Sequence, residues 1–144
     1  MAESLPTDIE LEVVTPDRPV VRGTVIGVSL PGKDGYLGIL PGHAPLLSEL
    51  KAGELSYTQQ GLTHYVAVSW GFAEVLPDRV IVLAHTSERG EEIDVERARR
   101  AKGRAEERLS KPSDPDVDRE RAQAALERAM TRLEVAEKAR GRRP

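Results

Sequence analysis

Proline and glycine divide this chain into two kinds of polymer. Turn signals recur about every eight to twelve residues up to residue 90, whereas proline is absent from 78 to 111 and again from 116 to 143. Turns at that spacing leave room only for short strands, while long proline-free stretches rich in Ala, Arg and Glu favour helices. All five aromatic residues (Tyr36, Tyr57, Tyr65, Trp70, Phe72) and nine of the twelve glycines precede residue 90. Charge shifts at the same place: residues 1–90 carry 11 acids against 6 bases, residues 91–144 carry 13 against 15. The seam predicts two units, one over 1–90 and one over 91–144.

The first unit reads as β. Ile9–Val13 alternates apolar and polar residues, the period of a half-buried strand. Thr24–Leu30 is rich in β-branched residues and stops at Pro31-Gly32. Asp34-Gly35 and Gly61 after Gln59-Gln60 are hairpin signals. Tyr65–Val68, Phe72–Val75 and Val80–Leu83 follow as further strands, with Pro77-Asp78 between the last two. This pattern predicts an all-β sandwich or barrel.

The second unit reads as an antiparallel helical hairpin, with helices over 94–110 and 115–140 and a breaker at Lys111–Pro115. Asp114 followed by Pro115 reads as an N-cap and a first-turn proline. Ala98, Ala101, Ala105 and Leu109 form one stripe, and Ala122, Leu126, Ala129, Leu133 and Ala136 form another. A buried methylene contributes about 0.8 kcal/mol. A mostly alanine seam therefore docks weakly, although the residues around it are strong helix formers. Such an arm can leave its packed position without melting. Gly103, inside the first helix, weakens it by about 1 kcal/mol relative to alanine.

Several function classes are excluded. A net charge of −3 argues against nucleic-acid binding by the whole molecule. There is no cysteine, hence no disulfide framework or thiolate chemistry. No eighteen-residue apolar run spans a membrane, and the start Met-Ala-Glu-Ser-Leu-Pro lacks the features of a signal peptide. His43, His64 and His85 are scattered without ligand spacing, so no metal site is expected. No glycine-rich phosphate loop, nucleophile elbow or carboxylate pair is present. The chain does not read as an enzyme.

One run is too particular to be generic: Gly35-Tyr36-Leu37-Gly38-Ile39-Leu40-Pro41-Gly42-His43-Ala44-Pro45-Leu46-Leu47. It resembles the central signature of the epsilon subunits of bacterial F-type ATP synthases. Val13–Pro16 and the strands Gly71–Val75 and Val80–Ala84 resemble other parts of that family. Ile93-Asp94-Val95-Glu96-Arg97-Ala98 resembles the opening of its first arm helix, and Leu126–Leu133 resembles its second arm helix. The resemblance runs from about residue 8 to about 140.

It implies a sandwich of ten strands in two sheets followed by a two-helix hairpin. It also implies a non-catalytic subunit of the rotor, peripheral on the cytoplasmic side of a bacterial plasma membrane. The sandwich would sit on the gamma subunit against the c-subunit ring. The arm would lie folded, or rise along gamma toward the alpha and beta subunits and obstruct ATP hydrolysis. Pro41, Gly42 and His43 would meet gamma, although Pro-Gly is first of all a turn. Lys33, Asp34 and Tyr36 would lie on the loop facing the c ring; many relatives carry an acid where this chain has Tyr36. Trp70 is a second departure, standing where relatives often have glycine.

The arm carries a sharper expectation. Asp94, Arg97, Ala101 and Arg104 recur on one helical face, and Arg128 and Arg132 on another. In the folded hairpin these faces converge on a guanidinium cluster suited to phosphate. Carried over by motif from relatives that bind ATP, the candidates are Glu88, Asp94, Arg97, Arg104, Arg128 and Arg132, with ATP as a regulatory ligand. The alternative is that the arginines cover a solvated face or meet acids of the beta subunit. Arg119, Arg121 and Arg140 are candidates for that contact. A generic β-sandwich adaptor or assembly factor with a helical hairpin explains the composition equally well, but not the signature runs.

Overall fold

In a computed structural model, residues 4–111 and 114–141 are described. Eight strands precede two helices: β1 (Ile9–Val14), β2 (Pro19–Val25), β3 (Gly27–Gly32), β4 (Gly35–Ile39), β5 (Leu46–Leu50), β6 (Gly53–Gln59), β7 (Leu62–Leu76) and β8 (Arg79–Arg89). A 3₁₀ turn at Gly90–Glu92 leads into α1 (Val95–Leu109) and α2 (Arg119–Gly141). The strands pair in the order β2-β1-β8-β7-β5-β3-β4, with β6 bridging β3 and β7. β1 and β8 run parallel; the other pairs are antiparallel.

The expected sandwich followed by a helical hairpin is what forms, with strands divided differently from the ten expected. Thr24–Leu30 is not one strand but the end of β2 and the start of β3, broken at Ile26, and β3 runs on through Pro31 and Gly32. Conversely, Tyr65–Val68 and Phe72–Val75 belong to one fifteen-residue strand, β7. Its first half pairs with β6 and its second with β5, while β8 accompanies both halves in unbroken register. The two layers therefore share their longest strands.

The kink that lets β7 pass between layers lies at Trp70 (φ +52°) and Gly71 (φ +121°). A Cβ on Gly71 would collide with the carbonyl oxygen of Leu83 on β8, so glycine is required by both space and dihedral. The same strand face changes partner there. Beyond the kink it carries Ala73 and Val75 into the core, and before it Ala67 and Ser69 toward the helices. Between β6 and β7, Gln60 (φ 53°) and Gly61 (φ 78°) make the two-residue left-handed turn that the sequence signalled.

The main core holds nineteen buried residues, all from strands, including Ile9, Leu11, Leu30, Ile39, Leu55 and Val82. The arm docks through a separate cluster of four: Ala67, Ile93, Val135 and Ala136, with Tyr65 and Val95 packed around it. That contrast supports strong cohesion in the sandwich and a small apolar contribution to docking. Within the hairpin, Ala98 and Ala105 of α1 and Ala122, Ala129 and Ala136 of α2 are buried, whereas Ala101, Leu109, Leu126 and Leu133 are half-buried. Thr131 and Val135 are buried outside the expected stripe.

α1 starts where its cap places it: Asp94 Oδ1 accepts from Arg97 N at 3.0 Å. α2 starts four residues later than expected. Asp114 Oδ1 instead accepts from Asp116 N at 2.9 Å, an Asx turn, and Asp118 takes the cap by accepting from Arg121 N at 3.1 Å. Pro112 of the expected breaker, and Arg142–Pro144 at the end, lie outside the described residues.

Candidate functional site

The folded hairpin and the sandwich enclose an open groove of about 590 Å³. Its floor is Ala67 and Ser69 of β7 with Thr86, Ser87 and Glu88 of β8. α1 contributes Arg97, Ala101, Arg104, Ala105 and Arg108; α2 contributes Ala125, Arg128, Ala129 and Arg132; Asp17 from the β1–β2 turn completes it. The alanines leave the space, and the arginines set its charge: five guanidiniums against the carboxylates of Glu88 and Asp17. This volume suits a small-molecule ligand, and forked guanidinium donors suit phosphate oxygens.

Five of the six expected nucleotide-binding residues, Glu88, Arg97, Arg104, Arg128 and Arg132, meet in this groove. Asp94 does not line it; as the α1 cap it fixes the helix that presents Arg97. Arg132 Nε donates to Glu88 Oε1 at 2.7 Å in a half-buried ion pair joining α2 to β8. Arg128 is held differently, 5.6 Å from the ring centre of Trp70. Among the described residues, Arg97, Arg104, Arg108 and Arg128 have no carboxylate within ion-pair distance. Arg108 was missed, although it lies four residues after Arg104 and seven after Ala101, on the same helical face. Asp17 carries no local signal, because only the tertiary fold brings the β1–β2 turn to α1.

A second fastening lies at the end of α2. Lys138 Nζ is 2.8 Å from Glu54 Oε1 on β6. The contact with Glu54 holds the ammonium above its ordinary 10.5, opposed by partial desolvation. A raised lysine pKa stabilises the docked form in full below about 10.5 and loses that effect only as pH rises further, so Lys138 is charged near neutrality. Gly90, at the base of the arm, is packed so closely that an added Cβ would lie 2.6 Å from Ala139 Cβ and 3.1 Å from Val135 O.

The remaining expected residues fall on separate surfaces. Leu40–His43 is a turn: His43 N donates to Leu40 O at 3.2 Å, and Gly42 has φ +86°. Gly42 N also donates to Pro77 O at 2.7 Å, tying this turn to the β7–β8 turn, and His43 Nδ1 lies 2.7 Å from Ala44 O. Around it and across the outer sheet face, Leu40, Leu47, Phe72 and Leu83 are exposed. In the β3–β4 loop Lys33 pairs with Glu49 at 3.1 Å, and Asp34 is exposed. Tyr36 is folded back on the sandwich, where its hydroxyl accepts from Glu54 N at 3.2 Å and its ring lies 5.5 Å from Lys51 Nζ. Arg119 donates to Leu109 O at 3.3 Å, across the hairpin turn, while Arg121 and Arg140 are exposed.

Two family models match end to end: the β-sandwich domain of the ATP synthase delta/epsilon chain over residues 8–90, and its long α-helix domain over 91–137. The chain belongs to the ATP synthase delta/epsilon chain family. Within it, the ATP synthase epsilon chain of Nitratidesulfovibrio vulgaris is 51% identical over 127 residues, covering 88% of this chain and 94% of that one. The epsilon chain of Geotalea daltonii is 47% identical over 143 residues, covering 99% and 100%. Among solved structures, a chain of the Euglena gracilis mitochondrial ATP synthase, an OSCP/F1/c-ring assembly, superposes with a TM-score of 0.80 at 26% identity, covering 95% of this chain and 86% of that one. The resemblance of the Gly35–Leu47 run and of the arm-helix motifs to epsilon chains thus extends across both domains of the family. No helix among the described residues of this delta/epsilon chain is long and apolar enough to cross a membrane.

Proposed function

We propose that this chain is the non-catalytic epsilon subunit of the rotor of a proton-translocating F-type ATP synthase, and that its arm is an ATP-responsive brake on hydrolysis. The observation that carries the regulatory part is the arginine groove, whose walls come from both the hairpin and the sandwich. A ligand there binds only the folded arm and stabilises it by mass action. Phosphates engage Arg97, Arg104 and Arg128, which lack carboxylate partners among the described residues, and Glu88 holds Arg132. High ATP keeps the arm down. Low ATP lets it rise along gamma toward the alpha and beta subunits, where Arg119, Arg121 and Arg140 meet acidic groups; Arg119 first has to release the Leu109 carbonyl.

The sandwich supplies the fixed attachment. The exposed apolar side chains Leu40, Leu47, Phe72 and Leu83, with the Pro41–Gly42–His43 turn, suit a permanent partner surface, assigned to gamma. Lys33 and Asp34 of the β3–β4 loop, with Tyr36 near the start of β4, face the c ring; among the described residues Asp34 has no ion-pair partner. On this reading the subunit sits peripherally, on the cytoplasmic side of a bacterial plasma membrane.

The test is reassembly of the complex with the full chain or with residues 1–90 alone. Both forms are expected to co-purify with gamma. Removal of the arm raises hydrolysis at low ATP severalfold and changes it little at high ATP. Hydrolysis identical in the two complexes at every ATP concentration would contradict the brake.

A further inference from the structure

The single tryptophan of the chain is one of two non-glycine residues, among those described, with a positive φ. Trp70 has a φ of +52°, in the left-handed region, which strains a bulky non-glycine residue. Strand register passes through it without a shift, Ser69 opposite Thr86 and Gly71 opposite Ala84, so the strain is not absorbed by a bulge. Strand alternation turns over at this residue: Val68 before it is buried in the core, whereas Phe72 after it is exposed. The indole itself faces the arm, with the guanidinium of Arg128 on α2 at 5.6 Å from its ring centre.

The two groove arginines of α2 are therefore fixed by different chemistry. Arg132 is paired with the Glu88 carboxylate, which cancels its charge locally. Arg128 rests on a π face, which restrains a cation without neutralising it. A residue that must offer full positive charge to an anion is better held in the second way.

We infer that Trp70 is a positioning residue. Its strained backbone holds the indole under Arg128, presenting that guanidinium to the groove with its charge intact, for a ligand carrying several phosphate oxygens. The ligand part of this inference rests on the nucleotide reading of the groove; the contact itself does not.

Two substitutions separate a π contact from mere packing. Trp70→Phe keeps an aromatic face, and Trp70→Leu keeps apolar bulk without one; both leave a non-glycine residue at the same strained dihedral. The first readout is hydrogen exchange of α2 in the full chain without nucleotide. Exchange around Arg128 is expected to stay near wild type in Trp70→Phe and to quicken about two- to fivefold in Trp70→Leu, the size of an exposed cation–π contact. Calorimetric titration of ATP into the same proteins is expected to show the same order of affinities, wild type and Phe above Leu. Equal exchange in the Phe and Leu variants would overturn the inference whatever the nucleotide does. If the exchange order holds while wild type binds no ATP, the nucleotide reading and the ligand role of Trp70 both fall, and the Trp70–Arg128 contact stands.

Discussion

Gly71→Ala is expected to destabilise the sandwich by about 3 kcal/mol or more, from left-handed strain of about 1–2 kcal/mol and overpacking of about 1–3 kcal/mol. The added methyl would meet the Leu83 carbonyl, a backbone atom in the adjacent strand that cannot swing away. A domain of this size has a total stability of roughly 5–15 kcal/mol, so the loss is a large fraction. The apparent Tm should fall by about 10 °C or more. Gly38→Ala serves as the control, because a Cβ there meets nothing within 4 Å. Thermal unfolding of the two variants at the same temperature would show that the β7 kink does not depend on glycine.

Gly90→Ala is expected to act on the arm and largely spare the sandwich. Its Cβ would press hardest on Ala139 Cβ of α2, at 2.6 Å, and equally, at 3.1 Å, on the carbonyls of Val135 in α2 and Tyr65 in β7. None of these residues belongs to the nineteen-residue core. What opposes the clash is a four-residue apolar cluster and two fastenings, Arg132–Glu88 and Lys138–Glu54. Overpacking costs about 1–3 kcal/mol, which shifts docking toward release by roughly 5- to 150-fold. Hydrogen exchange should show α2 losing protection while the strands keep theirs. In the reassembled complex the same variant should inhibit hydrolysis even at high ATP. Unchanged protection of α2 would contradict this account of docking.

The parts legible in the sequence were those fixed by local chemistry. Asp94 announced the start of α1 because a short carboxylate before an alanine-rich run has one good use, bonding the N3 amide. The start of α2 was placed four residues early, at Asp114-Pro115, because Asp114, Asp116 and Asp118 can all cap or turn, and only the hairpin's closure selects Asp118. The loss of alternation around Ser69–Gly71 looked like a gap between strands. It is instead a kink within one, because a left-handed pair redirects a strand without ending it. The arginine faces were visible from helical spacing, which is why most of the groove was legible. Asp17, the Trp70–Arg128 contact and the Gly90 packing were not, since each joins elements that no period relates.

The most direct test of the account is a calorimetric titration of ATP into the isolated full chain, with Arg97→Ala and Arg128→Ala alongside. The account predicts one ATP per chain for wild type, and affinity lower by about 10- to 150-fold in each variant, the loss of a charge-assisted hydrogen bond of about 1.5–3 kcal/mol. No binding at millimolar ATP, or binding equal in all three proteins, would contradict it and leave the arginine groove as a contact surface for other subunits.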